Sequence, residues 1–242
     1  MNHQNLLKLQ TIYQDRDYFY LAFEYLDGHL LSEHIEGYGP LSTQECAIVL
    51  EVLLEIINYL SKNGIIHRNI TPAHILIKSK VISRENIFLV GFGNSASTKK
   101  SFIIPFSGTP GYIAPEIFLL PSFHLDDRKK SQIRPQCDYF SLGITFYVML
   151  FGSLPYENNV FEKNKKMSFK FIKCEKFDVI RKDILSFLDI NQKPRRCADD
   201  ELQISALLRN LMLFFDSDHE EGNTNFLCKN LEDLQKYKYN FL

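Results

Sequence analysis

The segment at residues 138–151 constrains the fold of this chain most strongly, because it has no polar face. After the aspartate at its start it reads YFSLGITFYVMLF, which is apolar almost all round. A helix of this kind is buried on every side, so it belongs at the centre of a domain. No apolar run of the chain reaches the roughly 18–20 residues needed to cross a bilayer. The sequence therefore predicts a globular domain built around this helix.

The composition argues against several classes of protein. The chain has 242 residues, which suits one large domain or two small ones, and its formal net charge is −1. A nearly neutral chain has no global field that would attract nucleic acid or an anionic membrane. The N-terminus lacks the charged-then-apolar layout of a secretory signal. Five scattered cysteines without a C-x-x-C pair argue against a disulfide scaffold or a zinc ribbon. We therefore expect a soluble cytoplasmic protein.

Local signals predict strands first and mostly helices afterwards. Residues 6–26 are rich in Tyr, Phe and Leu and are interrupted by a polar tetrad, which indicates strand, turn, strand. Ser42 and Glu45 form an S-x-x-E capping box, and apolar residues then recur at helical spacing until Gly64. Further predicted elements are a short helix at residues 30–35, strands at 75–77 and 87–90, and two amphipathic helices within 180–215.

Four short motifs follow one another in an order that is specific when they are taken together. Residues 67–74 read HRNITPAH, residues 91–93 read GFG, residues 108–116 read GTPGYIAPE, and residues 138–143 read DYFSLG. In that order they resemble the H-R-D-x-x-x-x-N catalytic loop, the D-F-G triplet, the end of the activation segment and the start of the buried central helix of the eukaryotic protein kinase family. The third motif is most similar to the Ser/Thr kinases, the calcium/calmodulin-dependent group in particular.

The resemblance implies an α+β, protein kinase-like fold that is mainly the helical C-lobe. Residues 1–28 correspond to a remnant of the N-lobe with two strands and the hinge, residues 29–216 to the C-lobe, and residues 217–242 to a polar linker with a short helix. Neither a G-x-G-x-x-G loop nor a lysine in the β3 position is found, so we expect the first three strands and the αC helix to be absent. The first two strands would then form an isolated hairpin with exposed apolar surface, covered either by a partner or by the rest of a longer protein.

The resemblance also gives several residues structural roles. His67 corresponds to the packing histidine of the catalytic loop, and Phe92 to the aromatic side chain that stacks on it. Arg68 corresponds to the arginine that receives the phosphate of a modified activation loop, although a bond to the backbone is the favoured interpretation here. The remaining positions are Thr109 in the activation segment, Asp138 at the start of the central helix, and Glu116, which the resemblance pairs with Arg196.

The positions that carry the chemistry of the family are all altered. The base is Asn69, whose carboxamide does not ionise near neutral pH and cannot take a proton from a hydroxyl. The lysine two residues later is Thr71, which carries no charge. The two magnesium ligands are His74, which suits a hard cation poorly, and Gly91, which has no side chain. No catalytic residue is therefore intact, and no metal site is expected from His67 and His74, because no Cys or carboxylate lies near them in the sequence.

Nucleotide binding is doubtful as well. Phe23 occupies the gatekeeper position and Glu24, Tyr25 and Leu26 the hinge, whose backbone could bond an adenine, but the glycine loop and the lysine are missing. We interpret the chain as a catalytically inactive protein kinase-like domain, a pseudokinase, that binds proteins or serves as a scaffold and needs no cofactor. Two alternatives stay open: a divergent or incomplete Ser/Thr kinase that transfers phosphate from ATP with magnesium, and a decaying duplicate without a selected activity.

Overall fold

Helices and short strands alternate along the chain, as a computed structural model describes it for residues 2–99, 107–118, 134–156, 169, 177–190 and 195. Within these residues the helices are α1 (Leu31–Tyr38), α2 (Thr43–Lys62), α3 (Pro115–Phe118), α4 (Gln136–Phe151) and α5 (Phe177–Phe187). The strands are β1 (Leu9–Gln14), β2 (Phe19–Phe23), β3 (His29–Leu30), β4 (Ile65–Ile66), β5 (Ile75–Ile77), β6 (Ile87–Leu89) and β7 (Ala96–Ser97). Short 3-10 turns occupy Pro72–His74, Arg84–Asn86 and Phe92–Asn94.

Helix α4 is the central helix that the sequence predicts. Every residue from Cys137 to Phe151 is buried, and the helix packs against both α2 and α5. Close packing on α5 depends on Gly143, because a Cβ atom there would lie 2.7 Å from the Cβ of Phe187. Gly152 directly follows the helix and adopts a left-handed conformation with φ of +68°, which suits a helix end.

Helix α2 begins at the predicted capping box. The Ser42 hydroxyl accepts the backbone N–H of Glu45 at 3.3 Å, and the Glu45 carboxylate accepts the backbone N–H of Ser42 at 2.9 Å. The two bonds satisfy amides that a helix start would otherwise leave without partners. Leu50 and Leu53 are completely buried, so the predicted apolar stripe faces the core.

Two small antiparallel sheets support the loops between the helices. Strands β3, β5 and β6 form one sheet in that order, and β4 pairs with β7. Asn5 holds the N-terminal segment against the first sheet, because its amide nitrogen donates to the carbonyl oxygens of Arg84 at 2.6 Å and Ile87 at 2.8 Å. The mixture of helices and antiparallel strands is the α+β class that the sequence predicts.

The hairpin of β1 and β2 is separate from both sheets. Its strands pair antiparallel with Ile12 opposite Leu21, and among the described strands none pairs with either outer edge. The carboxylate of Asp15 accepts the backbone N–H groups of Asp17 and Tyr18 and so stabilises the turn. All residues of β1 are exposed. The predicted strand, turn and strand are confirmed.

Some predictions lie partly or wholly outside the described residues. Of the two helices predicted within residues 180–215, α5 lies in the described ranges and begins at Phe177. The linker and helix predicted for residues 217–242 lie outside those ranges. Among the described helices, none combines the length and the apolar character that a membrane span requires.

Candidate functional site

The loop that follows β4 is fixed by the first turn of α4. The carboxylate of Asp138 accepts the backbone N–H groups of His67 and Arg68, each at 2.7 Å. Burial raises the pKa of Asp138 to about 6, although the two amide donors act in the opposite direction. Arg68 is held in a left-handed backbone conformation with φ of +65°. The structure thus places Asp138 as a clamp on the backbone of this loop.

His67 packs as a neutral ring inside the domain. The ring meets Phe92 edge to face, with centroids 4.7 Å apart. Its Nε2 lies 3.0 Å from the carbonyl oxygen of Val90 and must therefore carry the proton, while Nδ1 accepts the backbone N–H of Asn69 at 3.3 Å. Burial lowers the pKa of His67 to about 4. These contacts give His67 a packing role.

The side chain of Asn69, at the position of the family's base, is occupied by hydrogen bonds. Its carbonyl oxygen accepts both the backbone N–H and the hydroxyl of Thr109, at 2.9 and 2.8 Å. Because a backbone N–H needs an acceptor, these contacts fix which end of the amide faces Thr109. The amide nitrogen then faces Nε2 of His74 at 3.3 Å.

His74 completes this chain of contacts as a neutral imidazole. Its Nε2 faces the NH₂ group of Asn69 and must accept, so the proton lies on Nδ1, which is 2.9 Å from the hydroxyl oxygen of Thr71. Burial lowers the pKa of His74, which favours the same neutral form. We call the four linked side chains the loop network: Asn69, Thr71, His74 and Thr109.

The ring of His74 also fills the space beside Gly91. A Cβ atom built on Gly91 would lie 2.1 Å from Cδ2 of His74, which is closer than two such atoms can approach. Gly91 adopts φ of +82°, a left-handed conformation that suits glycine. The imidazole at position 74 therefore occupies the space that a side chain at position 91 would need.

The residues present do not fit the magnesium ions that the kinase resemblance implies. Magnesium prefers oxygen ligands, but Gly91 offers no side chain and His74 offers a nitrogen. The amide oxygen of Asn69 already accepts two hydrogen bonds. Across the described residues, no group of three or more His, Cys, Asp or Glu side chains could hold a metal ion.

Glu116 pairs with Arg195, the neighbour of the Arg196 that the resemblance suggested. The guanidinium of Arg195 meets the Glu116 carboxylate with two contacts, at 2.6 and 2.9 Å, and also donates to the carbonyl oxygens of Gln136 and Asp189. Arg196 lies outside the described residues. A motif match that reaches two adjacent arginines does not tell which of them forms the pair.

Arg68 makes the backbone contact that the sequence favoured. Its Nε donates to the carbonyl oxygen of Asn94 at 2.6 Å. The amide oxygen of the same Asn94 accepts the hydroxyl of Ser107 at 2.7 Å. These bonds connect the loop after β4 to both described ends of the activation segment.

The hinge residues border a cavity that is distinct from the loop network. Glu24 is tied to β1, because its backbone N–H donates to the carbonyl of Lys8 and its carboxylate accepts the backbone N–H of Lys8. Tyr25 is 88% exposed and Phe23 41% exposed. A cavity of about 490 Å³ lies next to Glu24 and Leu26, and its lining includes none of the loop-network residues and not Gly91.

Sequence reasoning missed the contacts that join these motifs to one another. Thr145 and Ser141, which lie on the otherwise apolar α4, donate to the carbonyl oxygens of Ile70 at 3.0 Å and Tyr112 at 2.7 Å. Two hydroxyls inside an apolar helix were the available signal, since a buried polar group needs a partner. The link from Asn69 to Thr109 had no local signal, because it joins positions 40 residues apart.

Comparison with known proteins relates the chain to protein kinases. Residues 1–213 match the family model of the protein kinase domain. The chain is 30% identical over 159 residues to the serine/threonine-protein kinase cds1 of Schizosaccharomyces pombe, which covers 66% of this chain and 33% of that protein. It is 31% identical over 193 residues to a probable serine/threonine-protein kinase, a KIN1 homolog of Enterocytozoon bieneusi, with 76% and 30% covered.

A third relative belongs to the calcium/calmodulin-dependent group, which the sequence at the end of the activation segment resembles. The calcium/calmodulin-dependent protein kinase type II of Caenorhabditis elegans is 26% identical over 213 residues, with 84% of this chain and 28% of that protein covered. The chain therefore spans about a third of the length of these relatives.

Proposed function

The chain belongs to the protein kinase family, and on that premise we propose that it is a catalytically inactive member that binds other proteins. The family and the kinase-like α+β fold predicted from the sequence are confirmed, and the relatives are named as Ser/Thr kinases. The proposal rests above all on one observation, the imidazole of His74 in the space beside Gly91.

The base position supports the proposal first. A positioned general base contributes about 10²–10⁴-fold to the rate of proton transfer. The amide of Asn69 cannot accept a proton near neutral pH, and its oxygen already accepts two bonds from Thr109. A substrate hydroxyl would have to displace Thr109 and would still find no base there.

The metal positions support the proposal independently. A carboxylate residue at position 91 would bring its Cβ into the ring of His74, so the family's metal ligand would fit there only if that ring moved or were replaced. Phosphoryl transfer depends mostly on electrostatic stabilisation of the moving group, and magnesium supplies much of it. A site without carboxylate ligands loses that contribution.

The parts that shape a protein-binding surface are retained. Arg195 and Glu116 form a buried, two-contact ion pair below the activation segment, and Asp138 clamps the loop after β4. These bonds order the segment at residues 107–118 without requiring catalysis. We therefore propose protein partners at this surface and a cytoplasmic location, with neither a nucleotide nor a metal as a cofactor.

A phosphotransfer assay tests the catalytic half of the proposal. The purified chain is incubated with γ-labelled ATP, magnesium and a general Ser/Thr substrate protein, beside the variants Asn69→Ala and His74→Ala. We expect no transfer that depends on either residue. Magnesium-dependent transfer that Asn69→Ala abolishes would contradict the proposal and favour the rival reading, a divergent Ser/Thr kinase, which the relatives' names support.

Cross-linking in native cells tests the binding half. We expect partner peptides linked to residues near the 107–118 segment of the tagged full chain. The matched control is Glu116→Gln, which removes one charge of the ion pair and should loosen the segment. Cross-links that are absent, or that are unchanged in this variant, would contradict the proposed surface.

A further inference from the structure

Two histidines meet where the chain passes from the hinge into helix α1. Nε2 of His29 lies 3.1 Å from Nδ1 of His34. His29 belongs to β3, where it pairs with Ile77 of β5, and His34 lies on α1. Both side chains are half-buried. We call these two residues the histidine pair, and their contact joins the strand that follows the hinge to the helix after it.

The two rings of the histidine pair face each other edge to edge. Their planes are inclined by 15°, and their centroids are 5.4 Å apart, which is as far as two imidazoles can be when their nitrogens are 3.1 Å apart. Each nitrogen therefore points at the other, along the line that a hydrogen bond prefers. A metal ion on this line would need about 4 Å between the nitrogens, since each zinc–nitrogen bond is about 2.0–2.1 Å. The geometry is that of a hydrogen bond and not of a shared metal ion.

The number of protons on the two rings decides whether this bond can form. A neutral imidazole has one N–H donor and one acceptor nitrogen, whereas an imidazolium has two donors and no acceptor. The bond forms when both rings are neutral, and it becomes charge-assisted and stronger when one ring is charged. When both rings are charged, two N–H groups and two positive charges face each other at 3.1 Å, so the bond is lost.

The surroundings of the histidine pair oppose the second charge. Burial first, and then the charge of His29, lower the pKa of His34. Glu45 on α2 raises the pKa of His34, but its effect is the smallest of the three. His34 is therefore the ring that stays neutral and accepts, while His29 donates.

The other titratable groups near the histidine pair leave this balance in place. Strand β5 brings none, and the turn before it brings His74, whose ring nitrogens contact Asn69 and Thr71. The carboxylate of Glu33 accepts the backbone N–H of Leu30. The remaining titratable residues close to the pair in the sequence are all exposed, and they are Asp27, Glu36 and Tyr38.

We propose that the histidine pair is a pH-dependent contact, which holds α1 against β3 while at most one of the two rings is charged and releases it when both are. The contact is fully formed above pH 6.5 and is lost as the pH falls through the lowered pKa of His34 in the folded chain. Tyr38 moves with His34, because their ring centroids are 4.9 Å apart. Leu31 is completely buried, so α1 stays attached there and the change is local.

The side-chain nitrogen resonances of the full chain, followed by NMR from about pH 8 to about pH 5, test the contact directly. We expect His29 and His34 to titrate in two separate steps, because the first charge opposes the second. His29→Gln should raise the pKa of His34, since it removes the neighbouring charge and its amide oxygen can accept the N–H of a charged His34. The matched control is His3→Gln, which changes a half-buried histidine outside the pair and should leave both steps unchanged.

Amide hydrogen exchange shows whether α1 is released. After correction for intrinsic rates, the opening of amides in α1 should increase by about tenfold in the wild type between about pH 7.5 and about pH 5.5. The increase should be absent in His29→Gln and in His34→Gln, because a glutamine amide offers either a donor or an acceptor to the remaining ring. His67 and Asp138 also titrate, but both are present in every variant, so the difference between variants isolates the pair.

Three results would overturn the proposal. These are a single shared titration step for the two rings in the wild type, exchange in α1 that does not change with pH, or an acid effect of equal size in the wild type and in both glutamine variants. The proposal does not depend on catalytic inactivity, because none of these readouts involves nucleotide or phosphate transfer.

Discussion

The core around α4 and the β1–β2 hairpin are both rich in aromatic and aliphatic side chains, but they use them in opposite ways. Every residue from Cys137 to Phe151 is buried, and the hydroxyls of Ser141 and Thr145 bond neighbouring loops. In the hairpin, the same residue types are exposed to solvent. The difference teaches that the helical body supplies its own packing, whereas the hairpin gains no such burial from the part of the chain that the structure describes.

The largest difference is expected from truncating one phenylalanine in each region. Phe146→Ala in α4 removes a completely buried ring and should lower the free energy of unfolding by about 3–5 kcal/mol. Phe19→Ala in the hairpin removes a ring that is 69% exposed and should change it by less than about 0.5 kcal/mol. Urea unfolding at low protein concentration measures the change in unfolding free energy for each variant. Similar changes would contradict the difference between the core and the hairpin.

Removing a buried arginine should lower the free energy of unfolding more than removing an exposed one. Arg195→Ala leaves Glu116 without its partner in a buried setting, which should cost about 3–5 kcal/mol of unfolding free energy. Arg84 pairs with Glu51 and Glu55 on the surface of the body, so Arg84→Ala should cost no more than about 1 kcal/mol. Thermal unfolding of both variants checks the ranking, and a reversed order would contradict the assignment of Arg195 to the core.

Acid should lower the free energy of unfolding of the helical body through His67, whose backbone is bonded to Asp138 at the start of α4. The folded pKa of His67 is about 4 against 6.5 for an ordinary histidine, so unfolding takes up a proton between these values. Its contribution is therefore fully present above pH 6.5 and is lost, by about 3 kcal/mol in total, as the pH falls to about 4.

A difference measurement isolates the effect of His67. Burial raises the pKa of Asp138 to about 6, which has the opposite dependence in a similar window, but Asp138 is present in both wild type and His67→Phe. The wild-type advantage over His67→Phe should shrink by that amount between pH 6.5 and pH 4. A constant difference would show that His67 is not held neutral.

The smallest effect, and the most specific, concerns Gly91 and His74. Gly91→Ala should destabilise the chain by about 1–3 kcal/mol, because the added Cβ meets the imidazole and the backbone has φ of +82°. In a His74→Ala background only the backbone cost of about 1 kcal/mol should remain. A double-mutant cycle measures the coupling, and independent effects would mean that the ring does not fill that space.

Local sequence signals predicted most of the described elements. The apolar run predicted α4, the capping box predicted the start of α2 at Thr43, and a stretch rich in Tyr, Phe and Leu broken by a polar tetrad predicted the hairpin. These features depend on near neighbours in the chain. They are therefore visible in the sequence without knowledge of the fold.

The candidate site was predictable only as a set of altered positions. The four changed residues were visible in the motifs, but the contacts among them were not. Asn69 bonds Thr109, which is 40 positions away, and His74 packs against Gly91 only in the folded chain. Arg195 as a partner of Glu116 was missed for the same reason, because the sequence alone does not distinguish it from the adjacent Arg196.

The most direct test of the account is thermal unfolding of the chain with and without ATP and magnesium. A ligand that binds only the folded state adds about 2.7 kcal/mol at 100 times its Kd, which is easily seen as a shift of the midpoint. The account predicts a cooperative transition whose midpoint does not move in the wild type. A magnesium-dependent rise of the midpoint would contradict it, because it would mean that nucleotide and metal bind despite the imidazole beside Gly91.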